Sequence, residues 1–187
     1  MRIFDTVLPE VKIVAPGRLG DTRGFFSEVW NERDFAAAGI KAHFVQDNHI
    51  RNPLKGTLRG LHYQLPPAAQ GKLLRVTRGS IFDVAVDIRR GSPTFGRHAD
   101  AVLSADNWQQ LWIPPGFAHG YCTLEDDTEV QYKVTDFYSP DCDRGIAWDD
   151  PALRINWPVL HDAVLLSDRD RENPGLADQP DLFEYDA

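Results

Sequence analysis

The chain has 187 residues, 42% hydrophobic and 26% charged, the balance of an ordinary globular domain able to bury one core. Its formal charge of −8 argues against nucleic acid or an anionic membrane as a partner, but an anionic small molecule could still be held by a local group of Arg and Lys. With only Cys122 and Cys142, no CxxC, and no apolar run of signal-peptide or membrane-span length, neither a disulfide framework nor a zinc cluster is expected, and a cytoplasmic home is.

Taken in chain order, strands are predicted at Lys12–Ala15 and Phe25–Trp30. A short helix follows over Glu32–Ala38, with Asn31 as N-cap and Gly39 just past its end. Further strands are predicted at Phe44–Gln46, Thr57–Gln64, Leu73–Thr77, Phe82–Ile88, Ala99–Ser104, Leu111–Pro114 and Glu129–Thr135. Phe82, Val84, Val86 and Ile88 share one face of their strand, and Asp83, Ala85 and Asp87 the other. Val130, Tyr132 and Val134 likewise fall together. Turn signals such as Pro16-Gly17, Gly20-Asp21, Arg78-Gly79-Ser80, Gly91-Ser92-Pro93, Pro115-Gly116 and Ser139-Pro140-Asp141 separate the runs. Many short strands at this spacing predict a closed antiparallel sandwich or barrel in one domain spanning 1–187. After Pro151 the pattern weakens to Pro-punctuated loops, with a short helix near Asp168 and a loosely structured tail over 173–187.

Two histidines stand out. His62 lies inside a strand-like run, Arg59-Gly60-Leu61-His62-Tyr63-Gln64, and His119 follows the stiff turn Ile113-Pro114-Pro115-Gly116. Imidazole titrates near neutrality, so a base on a rigid strand and a second imidazole at a fixed corner suggest proton transfer. Strict alternation puts Leu58, Gly60, His62 and Gln64 on one face and Arg59 on the other. A ligand touching both Arg59 and His62 therefore requires a bulge at Gly60 or a ligand that wraps the barrel rim.

Gly24-Phe25-Phe26-Ser27-Glu28, Phe44-Val45-Gln46-Asp47-Asn48, Leu58–Gln64, Gln70-Gly71-Lys72-Leu73, Phe82–Ile88, Ser92-Pro93-Thr94-Phe95-Gly96, Ile113–Gly120 and Tyr132-Lys133 together resemble the dTDP-4-dehydrorhamnose 3,5-epimerase family, in order from about residue 3 to about residue 172. The resemblance implies a mainly β, cupin-type jelly roll with a few short peripheral helices. It also implies a homodimer, and inversion of C3 and C5 of a dTDP-linked 4-keto-6-deoxyhexose without metal or organic cofactor. His62 matches the family's general base, Asp170 the acid paired with it, Tyr132 the proton donor, and Lys72 the cation near the keto oxygen. His119 matches a sugar contact. Arg23, Glu28, Gln46, Asn48 and Arg59 match residues holding nucleotide, diphosphate or sugar, and Tyr138 falls where a ring could stack on base or sugar. Asp143 stands where the family often has Glu, and Arg169 where Lys is common; both are ligand-contact positions.

The chemistry suits these residue types. Both carbons flank the C4 ketone, so removing either proton gives an enolate, which needs a placed base and a charge at the growing oxyanion. Simpler readings exist beside these roles. Ser167-Asp168-Arg169-Asp170 also reads as a capping box, and Tyr132 as a core residue between two valines. Three other functions share the motifs. Relatives that invert C3 alone or C5 alone carry the same base and donor. A metal-dependent cupin would want a second histidine where Gln64 stands, so no metal is expected. A non-catalytic sugar-binding cupin would not need the full proton-transfer set.

Overall fold

Strands that are apolar on both faces need cover on each side. Here two facing sheets supply the inner cover, and helices and loops an outer coat. The computed structural model describes residues 1–185. In chain order its elements are β1 (Arg2–Asp5), β2 (Lys12–Ala15), β3 (Leu19–Asp21), β4 (Gly24–Phe26), α1 (Glu32–Ala37), β5 (Gln46–Asn52), β6 (Leu58–Gln64), β7 (Lys72–Arg78), β8 (Ser80–Asp87), β9 (Arg89–Arg90), β10 (His98–Ser104), β11 (Gln110–Ile113), β12 (Phe117–Thr123), β13 (Thr128–Val134), β14 (Asp143–Gly145), α2 (Asp168–Arg171) and β15 (Phe183–Glu184). One sheet runs β1-β2-β11-β7-β13-β5 and the other β10-β8-β12-β6-β14, antiparallel throughout. This is the mainly β, two-sheet architecture expected from the sequence.

Between the sheets, Leu74, Val76, Leu111, Ile113 and Val130 meet Ile81, Ala85, Leu103, Phe117 and Tyr121. The alternation in β8 has an unusual outcome. Its apolar set, Phe82, Val84 and Val86, faces outward under Leu153, Trp157, Leu176 and Phe183, while Asp83 and Ala85 face the barrel interior. The outer face of the other sheet carries Val14, Leu73 and Trp112, covered by Trp30, Phe35, Ile40 and Phe44 from α1 and its flanks. Asn31 Oδ1 accepts from the Arg33 and Asp34 amides, so α1 starts where its cap was expected.

Four expectations change. Residues 173–185 are not a loose tail: Leu176 and Gln179 are buried, Tyr63 donates its hydroxyl to Gln179 Oε1 at 3.0 Å, and β15 pairs in parallel with β9. Residues 186–187 of that predicted tail lie outside the described residues. The strand expected at Phe25–Trp30 is only the short β4, because Trp30 turns away to stack on Phe35 and Phe44. The strand expected at Phe44–Gln46 instead runs Gln46–Asn52. It lacked an apolar period because three of its four inward positions, Gln46, Asn48 and Asn52, are polar and face the barrel interior, Ile50 being the exception. His119 sits inside β12, a strand buried on both faces whose Phe-Ala-His-Gly-Tyr run gives no alternation.

The Gly60 question has a structural answer. His119 pairs with His62 and Tyr121 with Arg59, so three steps along β6 match two along β12. That bulge turns Arg59 and His62 to the same side. Only glycine fits: Gly60 has φ of +130°, and a Cβ there would lie 2.5 Å from Gly120 Cα and 2.8 Å from the His119 carbonyl oxygen. Gly60→Ala is expected to lower stability by at least about 2 kcal/mol, and Gly91→Ala, where nothing lies within 4 Å, by only about 1 kcal/mol. Thermal unfolding of the two variants side by side checks this ordering.

Candidate active site

The bulge opens onto a cavity of about 290 Å³ lined by Ile50, Arg59, His62, Lys72, His119, Tyr121, Tyr132, Ser167, Arg169 and Asp170. Its floor and walls are inward positions of β5, β6, β7, β12 and β13, rigid strands that fix side-chain direction. Helix α2 closes one side.

His62 Nε2 lies 2.6 Å from Asp170 Oδ1, with the imidazole partly exposed and the carboxylate buried. Burial alone would raise the Asp170 carboxyl. The hydrogen bond and charge of His62, with the Ser167 side chain and the Gly60 N–H, outweigh it and hold the group below the usual carboxylate range. The Ser167–Asp170 run starts the helix without a reciprocal capping box, and its acid meets His62. Ser167 Oγ accepts from the Asp170 amide at 3.1 Å, as an N-cap should, while the Asp170 side chain turns to His62 rather than back to the cap.

Directly opposite His62 in the strand ladder is His119, whose Nε2 lies 2.6 Å from Asp83 Oδ1; both residues are buried. Burial depresses the His119 pKa against the pull of Asp83, with Lys72 and His62 adding to the depression. Sequence reasoning missed Asp83 as a site residue. The available signal was an acid on the face of β8 opposite its apolar stripe.

Lys72 is buried, and its Nζ donates to the His62 carbonyl oxygen at 3.2 Å. Desolvation brings its pKa down to about 8, only partly opposed by Asp143 and Asp83. Tyr132 packs its ring against the barrel core and borders the cavity; burial raises its pKa, tempered by Arg59. Tyr121, also not anticipated, has its phenol pushed up to about 12 by burial. Arg59 donates from Nε to Asn52 Oδ1 at 2.9 Å, and the fully buried Asn52 thereby anchors it.

At the rim, Arg169 Nη1 pairs with Asp143 Oδ2 at 2.7 Å, and the Tyr138 hydroxyl donates to the same oxygen at 3.1 Å. Asp143 and Arg169, the two positions at which the resemblance is looser, thus form one ion pair. Gln46 donates to Asn48 Oδ1 at 2.9 Å and accepts from the Tyr138 amide at 3.2 Å. The structure does not bring Arg23 and Glu28 to this cavity. Arg23 pairs with Asp21 on the β3–β4 hairpin, and Glu28 accepts from Asn31. No group of three or more His, Cys, Asp or Glu among the described residues is placed to hold a metal ion, and no described helix is long and apolar enough to cross a membrane.

The family model for dTDP-4-dehydrorhamnose 3,5-epimerase matches residues 5–178. The chain belongs to that family. A dTDP-4-dehydrorhamnose 3,5-epimerase of Sinorhizobium fredii is 52% identical over 178 residues, covering 95% of this chain and 91% of the relative. One from Shigella flexneri is 54% identical over 171 residues, covering 91% and 93%. Among solved structures, the epimerase RmlC of Legionella pneumophila in complex with dTDP-4-keto-L-rhamnose superposes with a TM-score of 0.94 at 45% identity, covering 100% of this chain and 99% of that one. ChmJ from Streptomyces bikiniensis, described as a 3'-monoepimerase, superposes at 0.82 with 33% identity, covering 90% and 85%. The cupin-like fold is therefore common to epimerases of different outcome.

The buried Lys72 has a measurable consequence for stability. Below about pH 8 the folded chain carries a buried charge that the unfolded chain solvates; this penalty fades as pH rises toward the ordinary lysine value of about 10.4. Lys72→Met is expected to raise stability at pH 7 by about 1–3 kcal/mol, with the gain shrinking as pH rises from about 8 and nearly gone by pH 10. Thermal melts of wild type and variant at pH 7 and pH 10 check both halves.

Proposed function

We propose that this chain inverts C3 and C5 of dTDP-4-dehydro-6-deoxy-D-glucose to give dTDP-4-dehydro-L-rhamnose, by proton removal and return beside the C4 ketone. One observation carries the reading: a carboxylate-paired histidine, a buried lysine and a tyrosine share one small cavity. The family membership and the dTDP-4-keto-L-rhamnose held by the Legionella relative support it.

In this reading the Nε2–H of His62 is committed to Asp170, leaving Nδ1 as the base. Nδ1 takes the proton from C3 or C5, and the electron pair of the broken C–H bond moves onto O4 as an enolate. Asp170 holds the tautomer and lies beside the charge that the ring takes up with the proton. Lys72 stabilises the oxyanion with its charge, and His119, held by Asp83, adds a second polar contact. The Tyr132 hydroxyl, neutral at working pH as a phenol of ordinary pKa about 10 already is, delivers a proton to the opposite ring face. Proton exchange with solvent then resets His62 and Tyr132, and no oxidant, metal or cofactor enters the balance.

Arg59 and Arg169 line the cavity, and Gln46, Asn48, Tyr138 and Asp143, joined by hydrogen bonds and through Asp143 to Arg169, would hold the nucleotide and diphosphate. Arg23 and Glu28 would contact ligand from a second copy. They lie on or just after a hairpin whose Leu19, Phe25 and Phe26 are 74%, 53% and 67% exposed, an apolar arm left bare among the described residues. A homodimer with a shared site fits this arrangement, as does a cytoplasmic home with a soluble nucleotide sugar as partner.

Incubation with dTDP-4-dehydro-6-deoxy-D-glucose in D₂O, followed by proton NMR, is expected to show deuterium entering both C3 and C5 with formation of the L-lyxo product. Label at one carbon would make this a mono-epimerase like ChmJ, and no exchange at all would remove the enzymatic reading. His62→Ala is expected to lose at least about 10²–10⁴-fold in turnover with the fold intact. Tyr132→Phe should slow product formation more than substrate exchange. The rate should also fall as pH rises through about 8, when Lys72 loses its charge, and a pH profile of kcat/KM reads that limb directly.

A further inference from the structure

Helix α2 is a single turn, too short to be stable by itself, so Asp170 is placed by whatever holds the chain on either side of it. Upstream, the Leu58 amide at the start of β6 donates to the Leu165 carbonyl at 2.9 Å. Downstream, the anchor is a buried carboxamide. Gln179 is 4% exposed, and its Nε2 donates to the Gly145 carbonyl at 2.8 Å and to the Pro174 carbonyl at 3.3 Å. Its Oε1 accepts from the Tyr63 hydroxyl at 3.0 Å. The Ala147 amide also donates to the Pro174 carbonyl, at 2.8 Å, and the Asn173 carboxamide lies against Gly145, where a Cβ would overlap it.

These partners converge on the dyad. Gly145 is the residue of β14 paired with His62, Tyr63 follows His62 on β6, and Pro174 lies four residues after Asp170. One buried side chain thus ties the segment that delivers the carboxylate to the two residues beside the imidazole. It does so from the outer face of β6, where Tyr63 packs with Leu61 and Ile146, and it takes no room in the cavity. A buried carboxamide bonded at three points fixes its surroundings, because releasing any one of them leaves a polar group unpaired and away from water. We infer that Gln179 is a positioning residue for the dyad: from behind the strand it sets the distance and angle at which Asp170 meets His62. The inference rests on the reading of the cavity as a proton-transfer site.

Gln179→Met keeps the shape of the side chain and removes all three bonds. It is expected to lower kcat roughly 10–100-fold, the scale of a small misplacement of a catalytic group, with KM and dTDP affinity within about threefold of wild type. Nitrogen-15 NMR of the neutral imidazole gives a readout that needs no substrate. Wild type should hold His62 as the single tautomer protonated at Nε2, and the variant should mix both tautomers. In an Asp170→Asn background the further loss from Gln179→Met should vanish, because Gln179 acts through the carboxylate. Tyr63→Phe keeps its ring packed and removes one of the three bonds. It should move both readouts in the same direction by less, and it carries the test if the Gln179 variant folds poorly. Unchanged kcat and tautomer in the folded variants, a loss confined to KM and dTDP affinity, or a full additional loss in the Asp170→Asn background would each overturn the inference. A wild type that exchanges no deuterium would overturn the epimerase reading instead, and the His62 tautomer would still decide the role of Gln179.

Discussion

Everything at the site depends on the close approach of two glycines. Gly60 and Gly120 let β6 and β12 approach at a spacing no side chain tolerates, and the resulting bulge shifts the face of β6 by one residue. Without it, Arg59 would point outward with Leu61 and Tyr63, and the cavity would lose one of its cations. The same backbone feature turns the Gly60 N–H toward Asp170, so one local irregularity both aims a ligand contact and helps keep the dyad's carboxylate ionised.

The cavity is electrostatically strained in an informative way. A protein of net charge −8 gathers Arg59, Lys72, Arg169 and two imidazoles around one space and neutralises them from behind with Asp83, Asp143 and Asp170. Among the described residues Lys72 has no direct carboxylate partner, its hydrogen bond going to the His62 carbonyl oxygen, and its charge is correspondingly poorly solvated. Such a group destabilises the folded chain, and in the proposed reaction an oxyanion would supply its counter-charge. The inward polar faces of β5 and β8 belong to the same exchange of stability for chemistry.

How much of this was legible in the sequence differs by element. β8 and β13 alternate cleanly, α1 is announced by Asn31, and His62 sits in a recognisable run, so these were readable. The bulge was readable only as a conflict, because alternation alone separated Arg59 from His62. β5 and β12 were missed or shortened for opposite reasons: β5 turns polar side chains inward, and β12 is buried on both faces. Asp83 hid in plain view because an acid opposite an apolar stripe ordinarily faces water. The packed segment 173–185 was misread since its anchors, Leu176, Gln179 and Phe183, are too widely spaced to show a period.

The dyad also joins distant parts of the polypeptide: His62 and Asp170 are separated by 108 residues. As the chain leaves the ribosome, the barrel strands through β13 are available to pair well before α2 emerges. During that interval the imidazole exists without the carboxylate that fixes its tautomer. Barrel strands pair across comparable distances, Ile13 with Leu111 for one, so what sets the dyad apart is that its carboxylate is synthesised after every strand of the two large sheets. A nascent or partly opened chain can therefore retain a nearly complete barrel and still be chemically silent.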